Sequence, residues 1–514
     1  MKKYLLCTLF LFSFSGYSQP SIQWQKAVGG TGVDTFRSTL QTSDGGYIIA
    51  GSSTSVDGDI SGNHGSSDVI VVKLSPLGSI EWQKSYGGSG NESAESIKKT
   101  SDGGYVIVGS SSSLDGDVTG NHGFGDFWII KIAGDGVLQW QKSLGGTNGD
   151  NGRAIQQTPD GGYIVGGSTS SIDGDVTGNH NPPATVGNSD YWVVKLTETG
   201  NIVWQKCLGS FSSDYLSSIA MTNDGGYIAV GEVQANDGDV TGHHGDFDYW
   251  VVKLSSAGAI ECQKALGGSG WDAGRDIIQN SAGNYIVAGY SSSGNGDITG
   301  MHGDGDGWVL ELDAAGNIIW QKAVGGTGSD FLYSVRQAVD GYILAGDTTS
   351  NDEDASGNHG TDSFDYWGIK LSAAGDVQWH KLLGGSGDDS AFSIIALTDG
   401  NYLVSGHVGS NDGDVTGSQG VVDGWIAYLA NDLAVNESSP ANKFTLYPNP
   451  AKGVINVSAD AGIIGTAYVI YDQLARIVKT GTLDAENSII QVEDLSNGVY
   501  LFSLDGVQAK IVKN

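Results

Sequence analysis

An all-β fold built from one long internal repeat is what this sequence predicts, on three observations. Gly accounts for 81 of 514 residues and Pro for only 8, while Val, Ile, Tyr and Trp fill the apolar runs, the composition of many short strands joined by tight turns. Trp-Gln-Lys or a close variant recurs with its first residue at Trp24, Trp82, Trp140, Trp204, Cys262, Trp320 and Trp379, a period of about 58 residues lengthened once by an insertion. Each period holds four strand-like pieces, which points to a propeller or a solenoid.

The chain opens with Met1-Lys2-Lys3, an apolar stretch from Tyr4 to Phe14, and small or polar residues up to Ser18. This is the three-part pattern of a secretory signal peptide, expected over residues 1–18. No later stretch has the ~20 continuous apolar residues of a membrane-spanning helix. Cys207 and Cys262 fall on comparable outer strands with opposite side-chain parity, so no disulfide is expected between them.

In one full unit the expected strands are 96–100, 105–109, 127–132 and 138–142, joined by Gly-bearing turns except for a long loop before the third. Four strands in a meander make one propeller blade. The repeat region begins with a lone fourth strand, Ile22 to Lys26, and stops after a third, Trp425 to Leu429. Pairing the two closes the ring and removes the open edges. The second strands begin at Tyr47, Tyr105, Tyr163, Tyr227, Tyr285, Tyr342 and Tyr402. The expectation is a seven-bladed β-propeller of four-stranded blades over residues 20–430, with Trp and Tyr columns packed between blades. Its DGDVTGNHG and DYWVVKL segments resemble repeat propellers of secreted Bacteroidetes proteins, and its blade architecture resembles WD-repeat and kelch propellers without carrying either motif.

A polar linker is read at 431–443 and a small β-sandwich at 444–514. The opening Tyr447-Pro448-Asn449-Pro450, the Tyr471-Asp472 segment, the strand Asn497-Gly498-Val499-Tyr500 and a basic tail follow in order. They resemble the type A C-terminal sorting domain of the type IX secretion system, with Ala475 where that family usually has Gly. The resemblance implies export by that machinery to the medium or the outer cell surface.

The long loop before each third strand carries the one metal-like spacing. Asp57, Asp59, Ser61, Asn63 and Asp68 fall at positions 1, 3, 5, 7 and 12 with Gly62 at 6, the oxygen spacing of an EF-hand-type calcium loop without its helices. Asp115, Asp117, Thr119 and Asp126 repeat it, as do Asp237, Asp239, Thr241 and Asp248, and Asp412, Asp414, Thr416 and Asp423. Asn295, Asp297, Thr299 and Asp306 do so with one substitution, while insertions separate Asp190 and Asp365 from the rest of their sets. A structural calcium ion in each regular loop is one reading; capping of turns by Asp and Ser or Thr is the other. The recurring His64, His122, His180, His244, His302 and His359 each stand alone among oxygen groups, which favours loop hydrogen bonding over zinc.

A formal charge of -32 repels nucleic acid and anionic membrane surfaces, leaving cations, neutral glycans and proteins as partners. Because the repeats share their prominent residues, function is expected where the repeat breaks: the insertion at 181–187, Trp271, His380, His407 and the pair Asp388-Asp389. No nucleophile, base and orienting group can be assembled from these. A binding module for glycan or protein is the leading expectation, ahead of a polysaccharide-degrading enzyme and of an adhesive surface protein.

Overall fold

The computed structural model describes residues 19–180, 187–431 and 444–513, apart from 449, 460–463, 473–475, 486 and 505–506. The expected signal peptide, most of the linker and most of the blade-three insertion lie outside the described residues.

Residues 22–430 form one unit of seven four-stranded sheets. The first consists of Asp34–Gln41, Tyr47–Ser53, Asp68–Leu74 and Ile80–Tyr86 in sequence order, and the next five repeat it. In the last sheet the order is Ser21–Val28, Asp423–Ala430, Tyr402–Val408, Asp389–Ala396. The N-terminal strand therefore supplies the fourth strand of the final sheet. Gln25 shows how completely: it accepts the Trp425 indole N–H at 2.6 Å and donates to Thr416, as Gln141 serves Trp128 and Thr119 within one sheet.

The first strands line the axis. Asp34–Gln41 packs against Glu92–Lys99 on one side and Asp389–Ala396 on the other, and the same neighbour contacts run round the remaining first strands. The propeller-like ring is thus closed. Second and third strands are buried along almost their whole length; every residue of Asp126–Ile132 is buried. Adjacent sheets pack face to face, Val106, Val108 and Ile129 meeting Ile155, Tyr163 and Trp192. At about 25 cal/mol per Å² of apolar surface removed from water, this burial between sheets is the main stabilising term.

The outer Trp-Gln-Lys strands place their indoles against the next sheet. Trp140 lies 5.8 Å from Tyr163 and Trp379 lies 5.6 Å from Tyr402, centroid to centroid. Gly136, at φ 81° in the turn between third and fourth strands, is required by the same packing, because a Cβ there would come within 3.0 Å of the Trp82 ring. Cys207 and Cys262 are free thiols.

One sequence expectation is corrected. The first strand of the second unit, expected at 96–100, spans Glu92–Lys99 and carries a β-bulge between Ala94 and Ser96. An equivalent irregularity sits in all seven first strands. The extra residue resets the alternation, so the segment before it does not read as strand by period two.

Residues 444–513 hold a three-stranded sheet, Phe444–Tyr447, Val454–Ala459 and Asn487–Gln491, and a four-stranded one, Ile477–Thr482, Ala467–Tyr471, Gly498–Leu504 and Val507–Lys513. Phe444, Val457, Ile470 and Phe502 share their core.

Trp128 is 1% exposed, so Trp128→Ala should cost about 3 to 5 kcal/mol. Trp82, half-buried on an outer strand, should cost less when truncated. Chemical denaturation of both variants checks the order.

Candidate functional site

The metal-like loops distribute their oxygens. Position-1 carboxylates turn to the Gly-rich segment ahead of their own first strand: Asp57 accepts from the Thr31 N–H at 2.7 Å, Asp115 from Ser89, Asp237 from Phe211 and Asp412 from Ser386. Position-5 hydroxyls are taken by the Gln of the Trp-Gln-Lys strand, which donates to Ser61, Thr119, Thr241, Thr299 and Thr416. Position-3 carboxylates face the preceding sheet: Asp117, Asp239 and Asp297 accept from the N–H groups of Gly87, Gly209 and Gly267 at 3.2 to 3.4 Å, while Asp59 takes the amide of Gln419 and Asp414 lies 3.6 Å from His359. Among the described residues no three His, Cys, Asp or Glu side chains stand together as a metal cage. Within each loop the oxygens at positions 1, 3 and 5 are thus engaged by backbone N–H groups, Gln and His side chains.

Position 12 behaves differently. Asp68, Asp126, Asp190, Asp248, Asp306, Asp365 and Asp423 open the third strands and are 0% exposed. In six of them Oδ2 meets both the backbone N–H and the Nδ1 of the loop histidine, at 2.6 to 2.9 Å from Nδ1 in His64, His122, His180, His244 and His302; in the seventh the N–H of Gln419 stands in. The histidines are thus loop hydrogen-bonding residues. Oδ1 of all seven has no hydrogen-bond partner.

Sequence breaks scatter. His380 replaces the usual Gln and bonds Ser356 at 3.0 Å, leaving the Trp367 indole to donate to the Asp354 carbonyl instead. Asp388 accepts from the Phe364 N–H, and Asp389 is a buried strand-opening carboxylate. Trp271, by contrast, donates its indole N–H to Glu232, and His407 packs 5.3 Å from the Phe392 ring.

The residues that the sequence reading missed sit at the bulges. The residue skipped by each register shift is Arg37, Glu95, Arg153, Ser217, Arg275, Tyr333 or Phe392, and all seven line the central channel. A bulge re-aims one side chain out of the pleat, and here it aims seven inward. The channel holds cavities of about 470 and 350 Å³ that share this ring. Lys98 and Arg336 line the second. Five arginines occur in the chain, and the four before the C-terminal domain all face this space. Arg153 pairs with Glu95 at 3.2 Å, Arg275 with Glu232 at 3.8 Å and Arg336 with Asp276. Arg37 instead lies 3.8 Å over the Phe392 ring, a cation–π contact that leaves its N–H donors to the channel.

The aromatic groups are one-sided. Trp271 meets Tyr290 at 5.4 Å, Tyr290 stacks on Phe331 at 4.3 Å, Tyr333 meets Phe392 at 5.0 Å and Phe392 meets His407 at 5.3 Å. The first three sheets carry Ser52, Ser110 and Ser168 at the position of Tyr290. Burial, with the Arg37 charge, pushes His407 down to about 4, so it is neutral at physiological pH. Lys98 is lowered to about 8 by burial and by Arg336, opposed by Asp276.

Residues 445–514 match the family described as "Secretion system C-terminal sorting domain". A β-agarase A of Zobellia galactanivorans is 31% identical over 83 residues, 16% of this chain and 15% of that protein. A regulatory protein FlaEY of Caulobacter vibrioides is 28% identical over 203 residues, 35% of this chain and 20% of its own length. The chain thus spans a fifth or less of the curated relatives it matches. Among solved structures, an extracellular domain from B. thetaiotaomicron shares 11% identity over 96% of this chain and 60% of that one, with a TM-score of 0.42.

Because its folded value lies below the ordinary lysine value, Lys98 binds fewer protons folded than unfolded between pH ~8 and ~10.4. Its charge costs stability below that window, and the cost fades as pH rises through it. NMR of ¹³C-dimethylated lysines should show one resonance titrating near pH 8 that disappears in Lys98→Gln. Residues 445–514 are a type IX C-terminal sorting domain, and the chain is an extracellular protein carrying that domain behind a propeller-like ring.

Proposed function

We infer that this is a secreted or surface-displayed binding module whose ligand is a glycan bearing carboxylate or sulfate groups, received in the central channel. Residues 1–18 would act as the export leader, 431–443 as a tether and 444–514 as the address read by the secretion machinery. The observation that carries the reading is the convergence of all four arginines ahead of the C-terminal domain on the channel of a chain whose formal charge is -32. Burying a cation costs free energy unless an anion or dipole offsets it. Three arginines have carboxylate partners; Arg37 and Lys98 are the groups left to meet an anion from outside, Arg37 through a planar bidentate fork.

Two further features support a sugar. Trp271, 38% exposed, and the aromatic chain behind it offer apolar faces beside polar groups, the combination on which pyranose rings stack. Glu95, Glu232 and Asp276 are each engaged by arginine, which suits binding better than acid catalysis, where one carboxyl must be kept protonated.

Calorimetry with the full chain should give binding to an oligouronate or a sulfated oligosaccharide and none to a neutral oligosaccharide of equal length. Arg37→Ala should weaken it at least about tenfold, or 1.4 kcal/mol, and Phe392→Ala similarly. Equal affinity for the neutral sugar, or indifference to both substitutions, overturns the reading.

A further inference from the structure

We propose that the interfaces between neighbouring sheets are binding sites for a hard divalent cation, held between the carboxylate that opens one third strand and the carboxylate that opens the next first strand. At the interface of the first two sheets these are Asp68 and Glu92; between the fourth and fifth they are Asp248 and Asp272. All four side chains are 2% exposed or less.

The two anions converge on one point. Gly87 lies between the first pair, and a Cβ on it would be 2.6 Å from Asp68 Oδ1 and 2.6 Å from Glu92 Oε2. Gly267 holds the same place in the second pair, at 2.8 Å from Asp248 Oδ1 and 2.5 Å from Asp272 Oδ2. The oxygen aimed into this space from the third strand is in both cases the unpartnered one. A buried carboxylate oxygen with no donor costs a large part of its hydration, and here the nearest group is a second anion.

A shared proton is the competing way to neutralise such a pair, and burial raises Asp68, Asp248 and Asp272 above the ordinary carboxylate value while their hydrogen bonds act in the opposite direction. Oδ2 of Asp248 receives an N–H and a histidine Nδ1. Asp272 receives the Gly268 N–H at 2.7 Å and the hydroxyls of Ser291 and Ser293. Donors of this kind stabilise the charged form. The pair with Glu92 adds an independent point: one side chain is longer by a methylene, yet its oxygen stands at the same distance from the glycine position. Both oxygens are held there by the N–H of the following glycine, Gly88 for Glu92 and Gly268 for Asp272.

Two carboxylates with the remaining positions given to water is a holding pattern open to hard divalent ions. At the interface of the fourth and fifth sheets, His244, which bonds Asp248, and Asp297, which accepts from the Gly267 N–H, border a cavity of about 330 Å³.

The full chain, stripped with chelator and dialysed, should take up several equivalents of calcium or magnesium at millimolar concentration, read by atomic emission, with a melting temperature several degrees higher than in chelator. Asp248→Asn should lose one equivalent, while Asp237→Ala, which alters a position-1 residue, should lose none; this pair separates interface sites from sites within the loops or the sorting domain. If Asp248→Asn fails to fold, Asp306→Asn makes the same test at the next interface. No bound metal and no thermal shift on the parent chain, or the same uptake in both variants, overturns the proposal.

Discussion

A sheet whose two middle strands are buried on both faces cannot be stable by itself. Everything in residues 22–430 follows from that requirement. Each sheet must find an apolar neighbour on either side, which forces the chain round until the last sheet meets the first. The last sheet is then one strand short, and Ser21–Val28 completes it. The Gln25 contacts to Trp425 and Thr416 reproduce those that Gln141, Gln205, Gln263 and Gln321 make within their own sheets. The ring is uniform through its seam.

Uniformity explains what could be read from the sequence. The Trp-Gln-Lys period, the Tyr at the head of each second strand and the missing fourth strand are repeated or conspicuously absent, so pattern exposes them. The bulged first strands were harder. Arg37, Arg153, Arg275 and Phe392 occupy equivalent positions, three residues after the carboxylate that opens the strand, but the inserted residue breaks period two there and hides which side they face. The signal was present as a variable position between more constant ones. The partners of the loop carboxylates were hidden for another reason. Spacing along a chain says nothing about sheets more than fifty residues apart, and positions 3 and 12 look outward to different neighbours.

Net charge likewise averages over the whole chain. The value of -32 describes the outer surface and the acidic loops, and it does disfavour a long polyanion laid across them. The channel is a separate electrostatic compartment, walled by first strands and carrying four of the chain's five arginines. Arg37, Arg153, Arg275, Arg336 and Lys98 there face Glu95, Glu232 and Asp276.

The seam also sets how the ring bears load. The strand that leads out of it, Asp423–Ala430, lies between Ser21–Val28 and Tyr402–Val408 and is bonded on both edges. Tension applied through residue 431 pulls along that strand, so two hydrogen-bonded ladders are sheared together instead of one being peeled open bond by bond. A ring pulled from this end is loaded in its strongest mechanical geometry.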